Sequence, residues 1–140
     1  MRAVVATGAG KTVAYLSRRL NRGGGTTFPG QVARWIDPRL LEKMAARLPL
    51  GTAVVTGTNG KTTTARMIAH VLRQGGQRPI HNRSGANLIA GVTSALLEAC
   101  DWRGFPTGDM GIFEVDEAML PLVIAETRPR TVVVTNLFRD

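Results

Sequence analysis

The sequence predicts an α/β fold: a parallel sheet carrying a phosphate-binding loop and flanked by helices, with short helices ahead of it. Three observations predict it. Hydrophobic spacing changes near residue 50, from a helical period to short β-branched runs that alternate with helices. The first of those runs leads directly into Gly57-Thr58-Asn59-Gly60-Lys61-Thr62-Thr63, and strand, glycine turn, Lys-Thr and helix is the order a phosphate site needs. A later apolar run ends in acids, Glu114, Asp116 and Glu117, where such a sheet would present them to a bound metal.

Residues 1–50 read as a basic helical segment. Val13, Leu16 and Leu20 share a helical face, and Gly23-Gly24-Gly25 ends that helix. A second helix starts at Pro29 and runs to Ile36. Asp37-Pro38 starts a third, Asp as the cap and Pro at the first helical position, which reaches about Leu48 before Pro49 stops it. Gly8-Ala9-Gly10-Lys11-Thr12 looks like a second phosphate loop, but Thr7 stands where the first loop glycine belongs. It reads as the beginning of the first helix.

Residues 51–140 read as the sheet. Strands are expected at Thr52–Thr56, Gly111–Val115 and Thr131–Thr135, and helices over residues 63–74, 88–99 and 117–126. His81 to Asn87 is expected to be a loop. Three strands make a small sheet, so the chain is expected to be the front of a longer protein or a truncated gene product.

Composition narrows the classes. The chain has 140 residues and a net charge of +8, and nine of its eighteen Lys and Arg fall in residues 1–50 against only Asp37 and Glu42. Such a basic segment suits a polyanion, either anionic lipid or nucleic acid. No apolar run nears the roughly 18 residues of a membrane span, and Met1–Ala6 is too short for a signal-peptide core. Cys100 is the one cysteine, which rules out an internal disulfide and four-cysteine zinc sites and suits a reducing cytoplasm.

The chemistry lies in the loops at the strand ends. Glycines at 57 and 60 let the loop amides curl toward phosphate oxygens, and the helix that starts at Thr62 adds its positive end. Lys61 reaches the terminal phosphates of ATP, and the Thr62 hydroxyl offers magnesium a ligand. Glu114 is the first choice for a second magnesium oxygen and Asp116 the next, alternation placing both on one face. Asp116 or Glu117 equally suits a helix cap. Asn82, Arg83, Ser84 and Asn87 surround Gly85 in a loop fit to grip a phosphate or carboxylate, or to start a helix. Asn136 follows the third strand, at the end where ligands of open parallel sheets bind.

These segments together resemble the Mur ligases and folylpolyglutamate synthases. Arg22-Gly23-Gly24-Gly25-Thr26, Asn82–Leu88 and Thr135–Asp140 narrow the resemblance to the MurT-type subunits of lipid II isoglutaminyl synthases. The resemblance implies an ATP- and Mg2+-dependent, amide-forming ligase of peptidoglycan synthesis. Such a ligase activates the α-carboxylate of D-glutamate in lipid II as an acyl phosphate, and ammonia from a GatD-like glutamine amidotransferase partner displaces the phosphate. It implies Thr62 and Glu114 at the magnesium, Asn136 near the nucleotide and the Asn82–Asn87 loop near the substrate. It further implies a longer chain, with a cysteine-rich zinc insertion and a carboxy-terminal domain that meets the partner. A cytoplasmic location at the inner face of an anionic membrane follows from a lipid-linked substrate. The alternatives are another Mur-type or folylpolyglutamate-type ligase fragment, or a basic nucleotide-dependent nucleic-acid module. Nucleic acid is not the expected partner, because the chain has few aromatic residues to stack bases.

Overall fold

The computed structural model describes residues 1–19, 27–82 and 85–137. The expected Gly23–Gly25 helix stop and the Arg22–Thr26 and Phe138–Asp140 segments lie outside them. Helices α1 (Arg2–Arg19), α2 (Phe28–Ile36) and α3 (Leu40–Ala45) come first. Then follow β1 (Thr52–Thr56), α4 (Lys61–Gln74), β2 (Pro79–His81), α5 (Ile89–Glu98), β3 (Met110–Glu114), α6 (Leu120–Thr127) and β4 (Thr131–Val134).

All strand pairs are parallel, in the order β2-β3-β1-β4. Val55 lies opposite Glu114 on one side and Val133 on the other. The carboxyl ends of β1, β3 and β4 therefore finish level, and the loops leaving them share one crevice. Phosphate chemistry belongs at that edge of the sheet.

Strand alternation divides the core. Val54, Phe113 and Val115 face a large layer with Leu40, Leu41, Met44, Val92, Leu96, Leu97 and Val123. Each such side chain contributes about 1.5–3 kcal/mol on burial. Ala53, Val55 and Ile112 face the opposite way onto Ala65, Ile68 and Leu72 of α4, the helix that covers that face among the described residues. Arg34 of α2 makes a bidentate pair with Glu126 of α6 at 2.6 and 2.7 Å, tying the first layer together.

Several expectations need correction. The sheet has four strands among the described residues, because Pro79–His81 pairs with β3 at the edge. Proline lacks a ladder donor and is confined to such positions. The first helix starts at Arg2 and takes Gly8–Thr12 as an interior stretch. Gly10 is required there by close packing: a methyl group would stand 2.8 Å from Leu97 Cδ1 and 3.1 Å from Ala33 Cβ. The third helix is shorter than expected. Asp37 receives Arg39 N–H at 3.2 Å and Lys43 Nζ at 2.6 Å, and regular helix begins only at Leu40. Before α6, Glu117–Met119 forms a 3-10 turn.

Candidate nucleotide and metal site

The loop after β1 takes its shape from two glycines at positive φ, Gly57 at 128° and Gly60 at 83°. Side chains avoid both conformations. Gly57 is also hemmed in, since an added Cβ would collide with Thr135 Oγ1 and lie 2.7 Å from Asn136 O. Gly60 then opens α4, whose first amides receive no side-chain cap. An uncapped helix start leaves orphan N–H donors and a positive dipole end, which is what an anion needs.

Lys61 folds back over this loop and donates to the carbonyls of Gly57 and, at 3.3 Å, Thr58. Glu117 Oε2 stands 4.0 Å from its ammonium. Thr62 Oγ1 donates to Glu114 Oε2 at 2.8 Å, across from α4 to the end of β3. Two of the three residues expected at the metal, Thr62 and Glu114, are thus brought together, while Asp116 instead caps the turn that follows. Magnesium takes oxygen ligands at 2.0–2.1 Å in an octahedron, whose adjacent corners lie about 2.9 Å apart. The Thr62 and Glu114 oxygens have that spacing, and the donor chemistry fits. Among the described residues no group of three His, Cys, Asp or Glu is placed to hold a metal, so phosphate and water oxygens would complete the shell. Thr56 Oγ1, at the loop's entrance, is buried without a partner, and a buried unpaired hydroxyl is costly.

Asn136 is joined to the loop at three points. Its carbonyl receives Thr58 N–H at 3.0 Å, and its side chain receives Asn59 N–H at 3.0 Å and donates to Asn59 O at 3.2 Å. Thr135 Oγ1 also approaches Asn59 O at 2.6 Å. Two loop amides expected to face phosphate are therefore held by Asn136. The uncapped start of α4 is left to offer the donors, at Lys61, Thr62 and Thr63. Sequence reasoning did not single out Thr135 as a site residue; its signal is a hydroxyl at a strand's carboxyl end.

Asn82 is buried, and its amide is spent inside the protein. Nδ2 donates to Glu114 O at 2.8 Å and Ala86 O at 2.7 Å, while Oδ1 receives Glu114 N–H at 2.8 Å. The side chain thus extends the β2–β3 ladder by one rung and fixes the backbone that carries Glu114. Asn87 is half-buried, and its carbonyl receives Asp116 N–H at 3.1 Å. Asp116 Oδ1 caps the 3-10 turn through Ala118 N–H at 3.1 Å, the capping role weighed for it. Arg83 and Ser84 lie outside the described residues.

Residues 55–140 match the family model of the Mur ligase middle domain. The chain belongs to the Mur ligase family. Among curated Mur-type relatives, it is 39% identical over 131 residues to the MurT subunit of glutamine-hydrolysing lipid II isoglutaminyl synthase from Staphylococcus aureus (strain COL), covering 91% of this chain and 29% of that one. The same subunit from Streptococcus pneumoniae (strain ATCC BAA-255 / R6) is 36% identical over 133 residues, covering 94% of this chain and 28% of the relative. A UDP-N-acetylmuramoylalanine–D-glutamate ligase from Streptococcus agalactiae (serotype III, strain NEM316) is 36% identical over 83 residues, 59% of this chain and 16% of its own length. The chain therefore spans under a third of these Mur-family relatives. The crystal structure of MurF from Acinetobacter baumannii superimposes with a TM-score of 0.56 at 20% identity, covering 74% of this chain and 22% of that one. This places the parallel sheet and its helices in the Mur ligase fold.

Proposed function

We propose that the chain is the nucleotide-binding front of an ATP-dependent carbon–nitrogen ligase of peptidoglycan synthesis, of the MurT type. The observation that carries the reading is the Thr62–Glu114 pair at 2.8 Å beside the phosphate loop. It joins a phosphate site to a site for the metal that accompanies ATP. On this reading residues 51–140 are the front of the ATP-binding domain and residues 1–50 a basic segment beside it.

The roles follow from the geometry. Gly57 and Gly60 shape the loop, Asn136 holds Thr58 and Asn59 in place, and the amides of Lys61, Thr62 and Thr63 receive the phosphates. Lys61 leaves its carbonyls for the terminal phosphates and offsets the charge that builds there. Thr62 and Glu114 hold Mg2+, with Asp116 the nearest further carboxylate in sequence. Bound Mg2+ supplies positive charge to the phosphate oxygens. Asn82 acts through Glu114, and Arg83, Ser84 and Asn87 belong to the loop that meets the substrate.

The reaction proposed is amidation of the D-glutamate α-carboxylate in lipid II. A carboxylate oxygen attacks the terminal phosphorus, and ADP leaves. Ammonia from a GatD-like glutaminase partner then attacks the acyl carbon. Phosphate leaves, the nitrogen loses a proton and a carboxamide remains. A cytoplasmic location at the membrane's inner face suits the lipid-linked substrate.

Calorimetric titration with Mg-ATP tests the nucleotide site. Saturable binding that disappears in Lys61→Ala supports it, and absence of binding by a well-folded chain overturns it. For the ligase, a full-length chain with its glutaminase partner should release phosphate only when glutamine and a stem-peptide carboxylate are both present. Phosphate release that needs an amino acid in place of glutamine would assign the chain to an amino-acid-adding ligase instead.

A further inference from the structure

Helix α1 is built inside out. The residues it buries are small: Ala6, Thr7, Gly10 and Ala14. Of its bulkier apolar side chains Val13 is half-buried, while Val4, Val5, Tyr15 and Leu16 are about half exposed or more. At 100° per residue these four fall within an arc of about 120°, opposite the buried set. A helix that faces its own core with alanine and glycine, and faces outward with valine, leucine and tyrosine, has an unmet apolar surface.

The surface continues onto the loop after α5. From the edge of that arc Lys11 reaches across to Trp102, while Gly104 packs under the helix against the buried Thr7. Trp102 is 63% exposed and Phe105 53%. Each exposed ring in this region carries a cation: Arg19 lies over Tyr15, Lys11 over Trp102 and Arg47 over Phe105, with centroid distances of 5.6, 5.6 and 4.4 Å. Arg2, Arg18 and Arg103 add charge around them, and residues 1–36 contain no Asp or Glu. The nearby acids are Glu98 and Asp101. Asp101 is exposed, and its Oδ1 receives Arg103 and Phe105 N–H at 2.8 and 2.9 Å.

We propose that the outer face of α1, with Trp102 and Phe105, is a peripheral docking surface for an anionic lipid bilayer. Apolar side chains enter the acyl boundary, aromatic rings lie at headgroup depth and the cations meet lipid phosphates. No helix among the described residues is long and apolar enough to cross a membrane, so the contact is in-plane. Charge complementarity favours lipid over a protein partner, since Arg2, Lys11, Arg18, Arg19, Arg47 and Arg103 outnumber the two exposed acids, Glu98 and Asp101. The inference is independent of the ligase reading, because lipid binding needs neither nucleotide nor partner.

Flotation with phosphatidylglycerol-containing vesicles, compared with pure phosphatidylcholine, tests it. The chain should float with the anionic vesicles at least tenfold more than with the neutral ones, and 0.5 M salt should reduce the bound fraction. Val5→Glu/Leu16→Glu should lower anionic binding at least tenfold while leaving the melting temperature intact. Met67→Glu/Val71→Glu, an exposed apolar pair on α4 across the sheet, should bind as the parent does. In a Trp35→Phe background, Trp102 emission should shift to the blue on vesicle addition. A folded chain that ignores anionic vesicles, binds neutral ones equally, or binds unchanged with the α1 variant would overturn the proposal. So would a stripe that the α1 variant shows to be needed for a protein partner but not for vesicles.

Discussion

Gly8-Ala9-Gly10-Lys11-Thr12 and Gly57-Thr58-Asn59-Gly60-Lys61-Thr62 share a Gly-Lys-Thr ending and have opposite fates. In the first, the glycines lie inside a helix. Lys11 donates to Leu97 O at 2.9 Å and sits over Trp102, a structural strut between α1 and α5. In the second, the glycines adopt positive φ and Lys61 curls over an open loop. The difference comes from what precedes and what clasps. Val54 and Val55 of β1 are buried between β3 and β4, whose ends supply Glu114, Thr135 and Asn136. No strand leads into Gly8. The same Gly-Lys-Thr run forms a loop where a strand leads in and neighbouring strand ends clasp it, and a helix where neither is present.

The largest contrast is expected from the glycines. Gly57→Ala forces a methyl group into Thr135 and Asn136 at a φ of 128°, and should cost about 3 kcal/mol of stability, read by chemical denaturation. A loss below about 1 kcal/mol would show that the clasp yields easily. Next come the lysines. Lys61→Ala should weaken Mg-ATP binding by about 100-fold, the scale of a lost charge-assisted contact, whereas Lys11→Ala should leave it within about twofold. Equal losses would show that the two lysines serve the nucleotide alike.

Smaller still are the helix glycines. Gly10→Ala meets Leu97 and Ala33 and should destabilise by about 1 kcal/mol, while Gly8, with nothing within 4 Å of an added Cβ, should tolerate Ala with a gain of about 0.5–1 kcal/mol. The least effect involves Cys100, whose Sγ shares the Leu97 carbonyl with Lys11. Burial pushes its thiol up from 9.0 to about 11, against the pull of Lys11. The folded chain then holds a proton that the unfolded chain releases, so stability should fall as pH rises from about 9 to about 11. Cys100→Ala should flatten that slope, and an unchanged slope would assign it to other groups.

What the sequence reveals is what is local. Thr52–Thr56, the loop glycines and the α4 helix follow from neighbouring residues, and the β1 range matches. β2 is hidden because three residues led by proline carry no readable alternation. The extent of α1 is hidden because glycine reads as a breaker, and only its packing partners, Ala33 and Leu97, explain Gly10. The same holds at the site. The Thr62 and Glu114 pairing follows from the motif and the strand end. Asn82 substituting for a ladder rung, and Asn136 occupying loop amides, depend on partners 32 and 77 residues away.

That last separation sets a schedule. The loop's glycines are synthesised long before the residues that hold them, and Asn59 must wait for Asn136, 77 positions later. At about 5–20 residues per second, the interval on the ribosome is about 4–15 s. Until β4 pairs with β1, closing so long a loop carries an entropic cost with no clasp to offset it. The nascent chain therefore passes through its early life with the glycine-rich motif already made and the clasp that shapes it still missing.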